Sequence, residues 1–263
     1  MFQALHTAAS GMLAQQMDLD NIANNLANAS TTGFRRRRLQ FEDLLYQNLV
    51  APGSAATQAT TVSSGLQVGM GTRSSSTELV QSQGTLTQTS NPLDMAIQGA
   101  GFFQVQMPNG QFAYTRAGAF HLDAQGNIVT AEGNPLQPPI AIPLNTTQLS
   151  IGQDGTVSAT VAGQNRAQIL GTITLATFAN TGGLESLGQN MFSSTTASGD
   201  AIIGNAGGQE GLGTLQQGSL EESNVNVVDE FVQMIEAQRS YEANSRVVKA
   251  ADQMAQELNG LTQ

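Results

Sequence analysis

A chain of 263 residues with 20 acidic against 10 basic side chains carries a formal charge of −10. That balance excludes nucleic acid as a partner, because phosphates are gripped by clustered Lys and Arg. The absence of cysteine removes disulfides, thiolate metal sites and Cys nucleophiles together. Hydrophobic content of 40% is enough for a folded core, while 28 glycines and few aromatics favour short strands and turns over a helical enzyme.

From the start, Met1, Leu5, Ala8, Met12, Gln15, Leu19, Ile22 and Leu26 recur at alternating steps of four and three. This is a heptad seam, and it predicts a helix that Asn28-Ala29-Ser30-Thr31-Thr32 and Gly33 bring to a stop. Asp18 and Asp20 are the only charges before Phe34, and Ala9, Leu13, Met17 and Ala23 lie off the seam. So little charge predicts a helix surrounded by neighbours; one helix of an ordinary bundle is the plainer reading. Gln3, His6, Thr7 and Ser10 interrupt any signal-peptide core, and the same residues argue against a membrane span of about 18 apolar residues. Export, if it occurs, is expected without a cleaved signal.

Arg35-Arg36-Arg37-Arg38 is the one block of like charge. Two readings stand open: a grip on a partner's carboxylates or an anionic lipid surface, or an extended run, solvated or paired with Glu42 and Asp43. Residues 50–92 are rich in Ser, Thr, Gln, Gly and Ala, the composition of a linker. Leu66, Val68 and Met70 alternate, however, so an extended arm that orders on assembly is the competing reading.

From Gly99 to about Gly218 the pattern is β. Phe103 with Val105, Phe112 with Tyr114, and Phe120 with Leu122 alternate, and Pro108-Asn109-Gly110, Asp123-Ala124-Gln125-Gly126 and Asp154-Gly155 mark turns. Ile169, Ile173, Leu175 and Phe178 supply further strands. A small barrel or sandwich is expected. The carboxyl end returns to the four-three spacing with Met234, Ala237, Tyr241, Asn244, Val248, Ala251, Ala255 and Leu258, behind an Asn226 cap. Asn244 is the kind of polar seam residue that fixes register. The two ends are expected to pack together.

Catalytic patterns do not emerge. The two histidines, His6 and His121, have no partner spacing for metal or triad chemistry. The single lysine, Lys249, lies in a helix rather than a phosphate loop, and Gly99-Ala100-Gly101 lacks the third glycine of a dinucleotide fingerprint. Acidic residues are scattered, with no pair singled out for glycoside hydrolysis.

Three sets of residues carry a resemblance. Asn24-Asn25-Leu26-Ala27-Asn28-Ala29-Ser30-Thr31-Thr32-Gly33-Phe34-Arg35 resembles the amino-terminal signature of flagellar rod and hook proteins. Ser223-Asn224-Val225-Asn226, then Gln238-Arg239-Ser240-Tyr241-Glu242-Ala243-Asn244, is similar to their carboxyl end. Between them stand Gly99-Ala100-Gly101-Phe102-Phe103, Tyr114-Thr115-Arg116-Ala117-Gly118-Ala119-Phe120 and Gly183-Leu184-Glu185-Ser186. Within that family the length and the Phe41–Tyr46 stretch are most like the distal rod type. A proximal rod or hook-type paralogue is the nearest alternative, and a secreted β-rich adhesin a distant one.

The resemblance implies a non-enzymatic α+β subunit without cofactor, metal or membrane insertion, exported by the flagellar type III apparatus. It implies a helical homopolymer in the basal body that meets proximal rod, hook and surrounding ring proteins and transmits torque. The expected layout is a helix in 1–33 paired, coiled-coil-like, with one in 224–263, a polar arm over 34–98, and a mainly antiparallel β domain over 99–223. The expected packing residues are Leu5, Met12, Leu19, Ile22, Leu26, Met234, Tyr241, Val248 and Leu258.

Overall fold

The amino-terminal seam forms helix α1, Phe2–Ala27, which ends in turns before the strand Arg37–Asp43. At the other end Asn226 caps helix α2, Val227–Leu261: its Oδ1 accepts from Val228 N–H at 3.0 Å and its carbonyl from Glu230 N–H at 3.0 Å. Asp229 and Glu230 add negative charge in the first turn, where the helix dipole favours it. The computed structural model describes residues 2–53, 64–163, 166–208 and 211–261. The architecture is α+β, with a helix at each end and an antiparallel β region between them.

The chain divides into two units, each assembled from separated pieces. The first gathers Met1–Leu26, Arg37–Glu78 and Asn226–Gln263. Here α1 and α2 touch in opposite order: Asn25 Nδ2 donates to Glu230 Oε2 at 3.2 Å, and Gly11 lies against Asn244. The two helices are therefore antiparallel. A Cβ on Gly11 would stand 2.8 Å from Asn244 Nδ2, so only glycine leaves room for this amide without a shift. Beside the helices lies a β ribbon. Arg37–Asp43 pairs with Thr72–Leu79, and Tyr46–Val50 pairs antiparallel with Leu66–Gly69. The Leu44 N–H bond to the Gly71 carbonyl, 2.9 Å, joins the two ladders.

The second unit, Ala27–Arg36 with Leu79–Val225, holds the apolar core. Its largest sheet orders six strands as Glu185–Gly188, Met191–Ser193, Phe112–Thr115, Phe102–Gln106, Thr174–Thr177 and Ile202–Asn205. This order has two ends, so the sheet is open rather than a closed barrel. A three-stranded sheet, Thr146–Ile151, Thr156–Val161 and Gln168–Thr172, supplies Ile151 and Val157 to the same core. Phe103 and Phe120 meet edge to face at 5.1 Å near its centre, and both are fully buried.

The polar arm expected over 34–98 is shared between the units, residues 37–78 clustering with the helices and 79–98 with the β region. The reason is local. Met95, Ala96 and Ile97 are fully buried in a strand that pairs with Thr214–Gln217, and Leu86–Gln88 pairs with Ser219–Glu221. Thus the last strands before α2 close the second unit against the first strands to enter it. No helix among the described residues is long and apolar enough to cross a membrane.

Candidate assembly surface and junction

Buried charge is expensive, and the second unit contains a dense cluster of it. Glu221, 1% exposed, lies between two arginines. Arg35 Nη2 stands 2.9 Å from Oε1 and Arg116 Nε 2.7 Å from Oε2, while Gly84 N–H donates to Oε1 at 2.9 Å. Arg116 spends its other donors on the carbonyls of Ile97, Gly99 and Gly101, and Arg35 Nη1 donates to that of Ser82. Burial lowers the Arg35 pKa, Glu221 raises it and neighbouring Arg116 lowers it further. Such a group is tolerable only because both carboxylate oxygens are engaged.

The residues around this cluster are held as firmly. Gly33 adopts φ 69°, and a Cβ there would stand 2.6 Å from Ala117 N, so the position admits no side chain. Its N–H donates to the Glu221 carbonyl at 2.8 Å. Asn224 Oδ1 accepts from Arg36 N–H at 2.6 Å while Nδ2 donates to the Val80 and Ser82 carbonyls, both at 2.9 Å. Asn190, second residue of a turn in which Gln189 and Asn190 both have positive φ, donates through Nδ2 to the Thr32 carbonyl at 2.9 Å. Of the other family-motif residues, Asn28, Phe34 and Val225 are half-buried, and Asn24, Gln238 and Arg239 are exposed.

In the first unit Asn25 does comparable work. It is 1% exposed, donates to the Arg37 carbonyl at 2.9 Å as well as to Glu230, and accepts from Arg37 N–H at 3.0 Å. Of the proposed packing residues, Ile22 is buried, and Leu5, Met12, Leu19, Leu26, Met234 and Val248 are half-buried. Tyr241 is 40% exposed. The Leu258 side chain falls outside the described residues. Buried Ala8, Ala237 and Ala251 lie on the same predicted seams.

The opposite faces are also apolar. On α1, Leu13 is 63% exposed and Met17 is exposed too. On α2, Val228, Phe231, Val232 and Ile235 form an exposed stripe, roughly half a turn away from Glu230, Met234 and Ala237 at about 100° per residue. The ribbon continues the pattern: Leu45 is 89% exposed, and Phe41, Tyr46, Leu49, Val50, Leu66 and Met70 are exposed as well. Contiguous apolar surface of this kind marks an interaction site. A groove of about 600 Å³ among Gln3, Ala4, Thr7, Ala8, Val68, Gly69, Asn244 and Val247 interrupts the first unit's packing.

The arginine block does not behave as one charge run. Arg35 is buried against Glu221, whereas exposed Arg38 pairs with Glu78 at 2.6 Å. Glu42 pairs with Arg73 at 2.9 Å and also accepts from Ser75 at 2.6 Å. The cluster of Arg35, Arg116 and Glu221 escaped the reading of the sequence, although two of its members stand inside recognised motifs. The available signal was chemical: Arg116 is a lone charge amid a β pattern, and the run 113–116 is buried throughout.

Three family models match successive parts of the chain. Residues 5–35 match the flagella basal body rod protein model, 96–159 the D1 domain of the flagellar hook protein FlgE/F/G, and 216–261 the carboxyl-terminal model of the flagellar basal body rod FlgEFG protein. The chain is 48% identical over 261 residues to the flagellar basal-body rod protein FlgG of Buchnera aphidicola from Acyrthosiphon pisum, covering 99% of this chain and 100% of that one. This chain belongs to the flagellar basal-body rod protein family. FlgG of Caulobacter vibrioides is 48% identical with 97% of each chain covered, and FlgG of Bacillus subtilis 39% identical with 99% of each covered. Full-length likeness to FlgG proteins makes this rod protein one of the distal rod type, a structural component of the flagellar basal body and not an enzyme. The matched ends cover α1 from Leu5 onward and the whole of α2, and the D1 match lies within the second unit.

Proposed function

We propose that this rod protein polymerises helically into the distal rod, a drive shaft that carries motor torque across the periplasm to the hook. One observation supports the reading above others: α1 and α2 are apolar on two opposite faces, and only one face is used within the chain. A helix apolar on both sides is stable in water only when neighbours cover the second side. Other copies of the chain are the natural cover, with Leu5, Met12, Leu19, Ile22, Leu26, Met234, Tyr241, Val248 and Leu258 packing the helices in a coiled-coil-like manner. The exposed apolar ribbon gives a further contact between copies. Proximal rod proteins, hook proteins and surrounding ring proteins are the proposed neighbours, and export by the flagellar type III apparatus without a cleaved signal the proposed route.

A double change on the outer stripe, Phe231→Asp with Ile235→Asp, tests this directly. Both residues are exposed in the single chain, so circular dichroism and Tm of the dilute monomer should stay as in the parent. Electron microscopy at rising concentration should then show loss of tubes or filaments, and a rod-null strain carrying the variant should not swim. Normal rods from the variant would refute the proposal.

A further inference from the structure

We propose that Arg35, Glu221 and Arg116 form an ionic latch that pins residues 27–36 to the β unit, so that the segment does not peel away when force runs along the chain. The mechanical part rests on the rod reading above; the latch itself does not. Residues 27–36 have no strand ladder to zip them down, only turns and irregular backbone. They are held point by point. Thr32 carbonyl takes the Asn190 amide, Gly33 N–H gives to the Glu221 carbonyl, and Arg36 gives to Asn224 and accepts from Val80 N–H at 2.9 Å. Each such bond is modest and is replaced by water when broken.

The carboxylate differs in kind. One oxygen holds Arg35 and the backbone of Gly84, and the other holds Arg116, whose remaining donors are fixed on three carbonyls. Withdrawing Arg35 leaves Oε1, still buried, with only the Gly84 N–H for a partner, a far larger cost than losing one of those single bonds. Position strengthens the argument. The chain passes between the two units after residues 26, 36, 78 and 225. Arg35, Ser82 and Glu221 stand within a few residues of three of these passages, and all three are tied in one cluster. A direction-specific ion pair, rather than packing, then keeps those passages at fixed spacing on the β unit.

Hydrogen exchange on the full chain provides the test. In Glu221→Gln the amides of Gly33 and Arg36 should lose about a hundredfold or more of their protection beyond any loss at Phe103 and Leu175. Unchanged exchange at Gly33 and Arg36 would overturn the latch. A triple variant, Arg35→Met with Glu221→Leu and Arg116→Met, covers the case in which Glu221→Gln fails to fold. It should keep its Tm but lose the same local protection; full protection there would show that packing suffices and overturn the latch equally. Swimming in a viscous medium separates the two ideas. Lost protection together with impaired swimming supports both, whereas lost protection with undiminished swimming retains the latch and rejects its mechanical role.

Discussion

The two units solve the problem of apolar surface in opposite ways. The β unit buries Phe103, Val105, Phe120, Ile173 and Leu175 among themselves, and even the charges of Arg35, Arg116 and Glu221 are paired with one another inside it. The helical unit leaves Leu13, Val228, Phe231 and Leu45 in water, and its buried positions are largely small: Ala8, Ala14, Ala237 and Ala251. One unit closes a large core of its own, though Leu144 and Ile169 stay exposed on it; the other buries few large side chains and leaves much apolar surface in water. The difference teaches that folding and polymerisation are assigned to different stretches of the same sequence.

Substitutions can break this contrast. The largest effect is expected from removing one partner of the buried triad: Glu221→Ala should destabilise the β unit by about 3–5 kcal/mol, read by urea denaturation. Leu175→Ala, at a fully buried position, should cost about 2–5 kcal/mol by the same measurement. Leu13→Ala, at a position mostly open to solvent, should leave monomer stability within about 0.5 kcal/mol yet weaken assembly. Should Leu13→Ala unfold the monomer as severely as Leu175→Ala, the contrast between the units would collapse. Asn25→Ala falls between them. It removes partners from both backbone groups of Arg37 and from Glu230, and should cost about 1–3 kcal/mol, confined to the helical unit.

The smallest effect concerns acid. Hydrogen bonds from Ser75 and then Arg73 lower the Glu42 pKa, and those from Arg38 and then Gln40 lower that of Glu78. A carboxylate with a lowered folded pKa contributes stability above its unfolded pKa and loses it as pH falls through the folded one. Acidification below the ordinary carboxylate range should therefore loosen the pairing of Arg37–Asp43 with Thr72–Leu79. Both side chains are exposed and the effect screened, so local exchange at Arg38 and Thr77, rather than Tm, is the measurement to follow.

Much of this was legible in advance, for a physical reason. Periodicity reports burial: the four-three spacing found both helices, and buried Ala8, Ile22, Ala237 and Ala251 lie on it, whereas buried Ala14 and Asn25 lie off it and Tyr241 on it is exposed. The Asn226 cap was readable because it acts on its immediate neighbours. What stayed hidden was non-local. Nothing near Arg35 announces Glu221, which is 186 positions later and meets it only through the pairing of Leu86–Gln88 with Ser219–Glu221. The ribbon was half visible in Leu66, Val68 and Met70, but its low charge read equally well as a linker. Asn25 and Asn224 were recognised as motif letters, while their work, clamping passing backbone, depends on strands that only the fold brings to them.

The tether from Ala27 to Arg36 is also a ruler. Thr32, Gly33, Arg35 and Arg36 must each reach a fixed group, Gly33 and Arg35 two different ones on Glu221, and at Gly33 no side chain fits. Inserting a single residue between Gly33 and Arg35 would throw Arg35 and Arg36 out of phase with Thr32 and Gly33. The solvent-facing turn at Pro108-Asn109-Gly110 imposes no such count. Relatives that vary freely in length at that turn should therefore keep the spacing from Thr32 to Arg36 constant to the residue.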